Sequence, residues 1–265
     1  MRYLRCGSGP ALLLVHGLLG YSFSWRFNLP VLGRHFTVYA PDLLGTGFSD
    51  RPKGLDCSMA ALAERLFDLL RALGIRELDL VGTSHGGALA TLMAANSQQS
   101  REMEIRKLVL VAPVNPWSEA GRRRVRVLST ATGRALFLGI APWLGPTGPL
   151  WLRRMYGDPT RIPPGTLNGY RAPLRNPGAW EYALEVVRSW RNDLRHLESH
   201  YARIHLPTLL IWGDRDVVVQ TSSARMVQRA IPGAELAIVR GAGHLPYEEC
   251  PEEFNRILLR FLSRS

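Results

Sequence analysis

Apolar and polar positions follow two different rhythms along the 265-residue chain. Short apolar runs with the length and composition of buried strands occur at 11–15, 37–39, 78–81, 107–111, 208–212 and 235–239. Longer segments rich in helix-forming residues occur at 58–73, 88–95, 222–230 and 252–262. Because strands and helices alternate, we expect right-handed crossovers and a mostly parallel sheet covered by helices on both faces.

The segment 58–73 carries the strongest helical pattern. Its apolar positions recur every three or four residues, at Leu62, Leu66, Leu69, Leu70 and Leu73. Ser58 can cap the first turn and Gly74 can end the last one. The pattern therefore predicts a helix whose two ends are both marked by residue chemistry.

The alternation of strands and helices stops between Pro113 and Pro207. This interval is rich in Arg, Trp, Pro and Gly and shows no alternating strand pattern. We therefore predict that residues 1–113 and 207–265 form an α/β core, and that residues 114–206 form a largely helical cap inserted into it.

One stretch of this interval, 135–152, is strongly apolar and reads ALFLGIAPWLGPTGPLWL. Pro142, Pro146 and Pro149 would break any helix that spanned a bilayer here. The stretch therefore either lines the inner side of the cap or forms an exposed lid that touches lipid, and we favour the lining.

The segment LVGTSHGGALA, residues 80–90, joins an apolar strand pattern to a helical one within a few residues. Such a turn needs small neighbours, and Gly82, Gly86 and Gly87 supply them. Ser84 would then project from the apex, as in the Gly-x-Ser-x-Gly nucleophile elbow. A glycine-rich turn that happens to carry a serine is the alternative, and the rest of the chain must decide between the two.

Two later segments supply groups that can activate a serine. The segment IWGDRDVVV places Asp214 and Asp216 just after a strand, and VRGAGHLPYEEC places His244 after the last strand. All three groups can meet at the carboxyl edge of the sheet, where a histidine base oriented by an aspartate takes the proton of a serine. The chain order Ser, Asp, His is that of one fold class and differs from the orders in two protease classes.

These motifs together resemble the α/β-hydrolase superfamily, and within it the cap-bearing branch of esterases, carbon–carbon hydrolases, haloalkane dehalogenases and epoxide hydrolases. The resemblance rests on HG at 16–17, PDLLGTGFSDRP at 41–52, GTSHGG at 82–87, WGDRD at 212–216 and GH at 243–244. It implies a doubly wound, mostly parallel sheet with a helical cap inserted after the sixth strand. Because the segment before residue 11 is short, we expect the first strand of the usual eight-stranded sheet to be missing or shortened.

The resemblance also implies a role for each site residue. Ser84 is then the nucleophile, His244 the base, and Asp216 the residue that orients His244, since relatives place that aspartate three residues after the glycine ending the strand. Asp214 would instead accept backbone hydrogen bonds in the turn. The backbone amides of Leu18 and His85 would form the oxyanion hole.

The remaining candidate residues concern the pocket and metals. Trp143, Trp151 and Leu245 are expected to contact substrate. The His16 side chain is expected to be a structural hydrogen bonder, and the His85 side chain to support or line the pocket. The spacing of His196, His200 and His205 invites a metal site, but no further ligand set supports one, and neither a metal nor an organic cofactor is expected.

The residue at the elbow decides among the chemistries of this branch. Haloalkane dehalogenases and epoxide hydrolases use an aspartate where this chain has Ser84, which excludes them. Carbon–carbon hydrolases commonly have a tryptophan where this chain has Leu245. We therefore predict a carboxylesterase that cleaves esters of small to medium apolar acyl or aryl groups through an acyl-enzyme. The alternative is a carbon–carbon hydrolase acting on a dienone acid.

Charge and cysteine content limit which binding partners and which cellular compartment we expect. The net charge is +11, with 31 arginines and two lysines, and residues 114–206 hold 14 arginines against six acidic residues. No nucleic-acid-binding module accompanies this charge, so we expect no nucleic-acid partner but allow a weak contact between the basic cap and an anionic membrane surface. Three cysteines far apart, and no signal-peptide pattern at residues 1–10, predict a cytoplasmic protein.

Overall fold

A seven-stranded sheet organises the part of the chain that the computed structural model describes, namely residues 1–98, 102–118, 122–128, 130–140 and 148–264. Its strands are β1 (Tyr3–Cys6), β2 (Ala11–Val15), β3 (Thr37–Pro41), β4 (Glu77–Thr83), β5 (Glu104–Val111), β6 (Thr208–Gly213) and β7 (Glu235–Val239). Their order across the sheet is β1-β3-β2-β4-β5-β6-β7. Only the β1–β3 pair is antiparallel among these strands, so the predicted mostly parallel sheet is confirmed.

The six runs expected from the sequence all lie within strands, and β1 is an addition. β1 was missed because its four residues include Arg5 and precede a glycine-rich turn, which leaves little apolar signal. It is held in place by pairing with β3, with Tyr3 opposite Pro41 and Cys6 opposite Val38.

Eleven α-helices accompany the sheet in the described residues. They are α1 (Leu29–Leu32), α2 (Met59–Ala72), α3 (His85–Ser97), α4 (Arg122–Leu128), α5 (Ala131–Ile140), α6 (Gly148–Met155), α7 (Thr166–Leu174), α8 (Ala179–Tyr201), α9 (Ala224–Ala230), α10 (Pro246–Glu249) and α11 (Pro251–Leu262). The hydroxyl of Ser58 accepts a hydrogen bond from the Ala61 amide at 3.3 Å, which confirms the predicted cap of α2. Gly74 has φ +68° just after that helix, a conformation that favours glycine.

Side chains of successive strand residues fill two cores, one on each face of the sheet. Along β2, Leu13 and Val15 join the core formed with α2, α3 and part of α8. Leu12 and Leu14 join the opposite core, which includes α11. All four side chains are at most 1% exposed, and each stabilises the fold by about 1.5–3 kcal/mol through burial. This two-sided burial fixes the register of the strands whose carboxyl ends carry the site.

The helices α4 to α8 lie between β5 and β6, inside the predicted insertion 114–206, whose end points stay a prediction. In this chain the insertion follows the fifth strand. The sequence predicts the insertion after the sixth strand of an eight-stranded sheet. The described sheet has seven strands, so its fifth strand is the sixth of eight if the first of the eight is the missing one.

The apolar stretch 135–152 is described only outside residues 141–147. Leu152 is buried, whereas Leu136, Ile140 and Leu150 are 62%, 45% and 70% exposed. The described part of this stretch therefore faces both the interior and solvent. Within the described ranges, no helix combines the length and apolar character that crossing a bilayer requires.

Candidate active site

Ser84 occupies a strained turn between β4 and α3. Its φ of +52° and ψ of −118° place a non-glycine residue in a region that favours glycine, at a cost of about 1–3 kcal/mol. The turn is so tight that side chains do not fit at two of its positions. A Cβ on Gly82 would lie 2.3 Å from the Gly86 oxygen, and one on Gly86 would lie 2.3 Å from the His16 oxygen. This is the geometry of a nucleophile elbow.

Backbone hydrogen bonds hold this turn over the sheet edge. The Ser84 amide donates to the Val111 oxygen at 2.9 Å, and the Ser84 oxygen accepts from the Val114 amide at 2.9 Å. The Ser84 side chain borders a cavity of about 950 Å³ and donates no hydrogen bond within the described residues. The hydroxyl is therefore free to meet a molecule that enters the cavity.

His244 and Asp216 form a buried pair. The Nδ1 atom of His244 donates to the Oδ2 atom of Asp216 at 2.8 Å, since a carboxylate can only accept. The Oδ1 atom of Asp216 accepts the amides of Val218 and Val219 at 2.8 and 3.0 Å. This pairing leaves Nε2 of His244 as the nitrogen that can take a proton.

The structure distinguishes the two aspartates that the sequence offered for this role. Asp214 lies in the turn after β6, where its Oδ1 atom accepts the Gly241 amide at 2.7 Å. Asp216 is the one that contacts His244. Asp214 thus ties two loops together, as its predicted place in the turn implied.

The loop that carries Asp216 borders the same cavity as Ser84, and the His244 loop is bonded to one of the residues that line it. Val217 and Val218, which directly follow Asp216, line it together with Met155. The Met155 oxygen accepts the His244 amide at 2.7 Å. The His244–Asp216 pair therefore adjoins the cavity that Ser84 borders through neighbouring residues, and neither side chain of the pair is among the described lining residues.

Glu249 supports the His244 loop and was not identified from the sequence. Its carboxylate accepts three backbone amides, from Gly243 at 2.7 Å, Gly157 at 2.9 Å and Asp158 at 2.7 Å. The carboxylate joins the residue before His244 to the segment after α6. The signal that was available is the pair of acidic residues in the otherwise apolar loop that follows His244.

The neighbouring Glu248 is buried in a second network that joins the segment after β2 to the segment after α6 and to α7. Its Oε2 atom accepts from Arg26 Nη2 at 2.9 Å and from the Tyr156 hydroxyl at 3.0 Å, and its Oε1 atom accepts from the Tyr170 hydroxyl. Burial raises the pKa of Glu248, and Arg26 and the two phenols oppose that rise. Together Glu248 and Glu249 fasten the helices α6 and α7 to the site.

Two backbone amides are free to stabilise an oxyanion. His85 is the first residue of α3, and Leu18 lies in the loop after β2; within the described residues neither amide donates to a protein acceptor. The Leu18 loop packs on the elbow, since a Cβ on Gly17 would lie 3.0 Å from the Ser84 Cβ. The amide of His85 also gains from the positive end of its helix dipole.

The side chains of His16 and His85 are structural. His16 is buried, its Nδ1 atom lies 2.8 Å from the Gly17 oxygen, and its Nε2 atom accepts the Leu43 amide at 3.1 Å. Burial lowers the pKa of His16 and lowers that of His85 to about 3. His85 Nδ1 accepts from Trp190 Nε1 at 3.2 Å. Neither ring is placed to act as a base near pH 7.

The predicted substrate contacts differ in their outcome. Trp151 lines the cavity with Ser84. Leu245 packs into the core on the α11 side of the sheet and is not among the cavity-lining residues. Trp143 lies outside the described residues. Among the residues that the structure describes, no group of three His, Cys, Asp or Glu side chains is arranged to hold a metal ion.

Proteins similar to this chain include a lipase, a protein of α/β-hydrolase fold and an uncharacterized protein. An uncharacterized protein of Mycobacterium tuberculosis is 33% identical over 270 residues, which cover 97% of this chain and 76% of that protein. Lipase 3 of a Moraxella species is 27% identical over 251 residues, covering 93% of this chain and 75% of the lipase. A crystal structure of an α/β-hydrolase fold protein from Burkholderia ambifaria superposes with a TM-score of 0.84 at 26% identity, covering 97% of this chain and 93% of that one.

An epoxide hydrolase and a 2-hydroxy-6-oxo-6-phenylhexa-2,4-dienoate hydrolase share the fold at 21% identity. Residues 10–251 match the family defined by the α/β-hydrolase fold, which is most of the chain. With its sheet order, strained serine turn and histidine–aspartate pair, this chain belongs to the α/β-hydrolase family.

Proposed function

We propose that this protein is a serine hydrolase that cleaves carboxylic esters through an acyl-enzyme, and thus a carboxylesterase. The observation that carries the proposal is the 2.8 Å hydrogen bond between His244 and Asp216 beside the cavity that Ser84 borders. A serine hydroxyl needs such an oriented imidazole to become nucleophilic at neutral pH.

In the proposed reaction, Ser84 Oγ attacks the ester carbonyl carbon while Nε2 of His244 accepts the hydroxyl proton. Asp216 holds the imidazole in the required tautomer and stabilises the imidazolium that forms. The amides of Leu18 and His85 donate to the oxyanion, and each such donor typically contributes about 3 kcal/mol. His244 then gives its proton to the departing alkoxide, so that the alcohol leaves.

Water completes the cycle. His244 takes a proton from a water molecule that attacks the acyl-enzyme carbonyl, and returns it to Ser84 as the acid is released. The Ser84 hydroxyl makes no hydrogen bond to His244 in the described structure, as is common in substrate-free enzymes, where such contacts tighten on substrate binding. We expect the ester to draw the two side chains together.

The walls of the cavity support an apolar acyl or aryl group as substrate. Trp151, Val187, Trp190 and Val218 line it together with Ser84. A cavity of about 950 Å³ is large enough for a medium-sized ester, since ligand pockets commonly span about 300–1,000 Å³.

Active-site labelling tests the nucleophile directly. Wild-type protein treated with a fluorophosphonate is expected to gain one adduct, which peptide mass spectrometry assigns to Ser84. The Ser84→Ala variant should take no label and should lose hydrolysis of 4-nitrophenyl butyrate, while Ser199→Ala, at an exposed position of α8, serves as a serine control away from the elbow. A label at another residue, or stronger cleavage of a dienone acid than of every ester tried, would contradict the proposal.

A further inference from the structure

The cavity that opens onto Ser84 has a strongly cationic wall. Arg126, Arg154, Arg191 and Arg195 line it, and Glu198 is the one acidic residue among the described lining residues. The described lining therefore carries four positive charges against one negative charge.

Helix α8 presents this charge as a regular stripe. Val187, Trp190, Arg191, Leu194 and Arg195 are spaced by three or four residues and all line the cavity, so one face of the helix forms this wall. Apolar and guanidinium groups alternate along that face. It therefore offers an apolar surface and a cationic surface to the same bound molecule.

The other cap helices continue the pattern. Arg154 on α6 stands one turn after Trp151, and Arg126 on α4 adjoins Val125; all of them line the cavity. The cationic wall is thus assembled from three separate helices. The four arginines are also exposed to solvent, so a molecule entering from solvent can reach them.

The cavity arginines also differ from other cap arginines in their partners. Arg134 and Arg188 both form ion pairs with Glu185. Within the described residues the four cavity arginines form no ion pair. Arg191 and Arg195, four residues apart on one helix, repel each other and disfavour the helix slightly. A bound anion would relieve this repulsion.

The geometry points to a substrate that carries an anionic group, a carboxylate or a phosphate, in addition to the ester, with Arg191 and Arg195 as its main contacts. Guanidinium groups bind both anions through paired hydrogen bonds. Several positive charges that converge on one cavity raise the local concentration of anions there. This inference rests on the proposed function, because it assigns the substrate class of the Ser84 cavity.

A matched pair of esters tests it. Mono-4-nitrophenyl suberate and the 4-nitrophenyl ester of suberamic acid differ only in a distal carboxylate or carboxamide. Wild type should hydrolyse the carboxylate ester with a kcat/KM about tenfold higher or more. The double variant Arg191→Gln/Arg195→Gln should bring that ratio close to one. Arg153→Gln, an exposed neighbour of Arg154 outside the cavity lining, should leave the ratio unchanged.

A binding experiment separates this inference from catalysis. Calorimetry with Ser84→Ala should show that octyl phosphate or octanoate binds, that octyl glucoside does not, and that the arginine double substitution abolishes the binding. Comparison of the two anions identifies the preferred headgroup. Equal hydrolysis of the two esters with Ser84 still required would overturn the anionic subsite and leave the esterase standing. Failure of both anions to bind Ser84→Ala would overturn it whether or not any ester is cleaved.

Discussion

The carboxylate of Glu249 accepts the amide of Gly243 at 2.7 Å, one residue before His244. The same carboxylate accepts the amides of Gly157 and Asp158 in the cap region. The segment after α6 is therefore fastened to the loop of the proposed base.

Removal of this carboxylate tests its positioning role. Glu249→Gln is expected to lower kcat about 10- to 100-fold with little change in KM. The amide nitrogen of glutamine cannot accept the third backbone hydrogen bond, so one backbone amide near the His244 loop is left unpaired. An unpaired donor costs about 1–3 kcal/mol, which matches the expected loss in kcat. The measurement is steady-state hydrolysis of 4-nitrophenyl butyrate well below the melting temperature.

The control for this variant is Glu252→Gln, at an exposed position of the first turn of α11. It should leave kcat within twofold of wild type, an effect of about 0.4 kcal/mol. A fall in melting temperature for Glu249→Gln with unchanged kcat would show that Glu249 is purely structural.

The two aspartates after β6 are expected to differ in their effect on catalysis. Asp216→Asn should lower kcat about 10³- to 10⁴-fold, because an amide no longer enforces the tautomer in which Nε2 accepts a proton. Asp214→Asn should cost less than about tenfold, since the amide oxygen of asparagine can still accept the one loop hydrogen bond. Equal losses in the two variants would contradict the assignment of Asp216.

Acid stability is expected to depend on Asp42, which lies just after β3. Burial alone would raise the pKa of Asp42, but hydrogen bonds from the amides of Phe48 and Ser22, and from Arg2, hold it below its ordinary value. The ionised form is therefore favoured by folding. Its contribution to stability is present above about pH 4 and is lost as the pH falls through the folded-state pKa.

Urea unfolding between pH 7 and pH 3 measures this contribution. Asp42→Asn should be less stable than wild type at pH 7, and the difference should shrink as the pH falls below about 4. The exposed Asp50 provides the control variant Asp50→Asn. A difference that stays constant with pH would rule out a contribution from the ionisation of Asp42.

Two glycines are predicted to respond in opposite directions to the same substitution. Gly86→Ala should destabilise the protein by more than about 3 kcal/mol, because the new Cβ would meet the His16 and Val15 backbone oxygens at 2.3 and 2.5 Å. Gly139 near the end of α5 has open space around it, and Gly139→Ala should stabilise by up to about 1 kcal/mol. Equal stability of the two variants in denaturant melts would contradict this packing argument.

The basic cap is expected to associate with anionic lipid. Leu136, Ile140 and Leu150 are exposed on cap helices whose surroundings are rich in arginine, a combination that favours an anionic bilayer surface. Weak co-sedimentation with phosphatidylserine vesicles should be detectable at low salt and lost at about 0.5 M salt, where charges are screened beyond a few ångströms. Phosphatidylcholine vesicles are the control, and no retention at low salt would refute the contact.

Local patterns were sufficient for six of the seven described strands and for the chain order of Ser84, Asp216 and His244. Short continuous apolar runs between helical segments located six strands, because a strand buried on both faces needs apolar residues at successive positions. Glycines around Ser84 identified the strained turn, since residues with side chains do not fit there. These features were legible because each depends on residues close together in the chain.

Only tertiary packing decided the features that join distant segments. The hydrogen bond that selects Asp216 over Asp214 links residues 28 apart, and the bond from Gly157 to Glu249 links residues 92 apart. The same packing turned Leu245 toward the core and brought arginines from three cap helices to one cavity. Sequence spacing carries no information on which of several equally polar side chains meets a partner across the fold, because burial and crossover geometry set that choice.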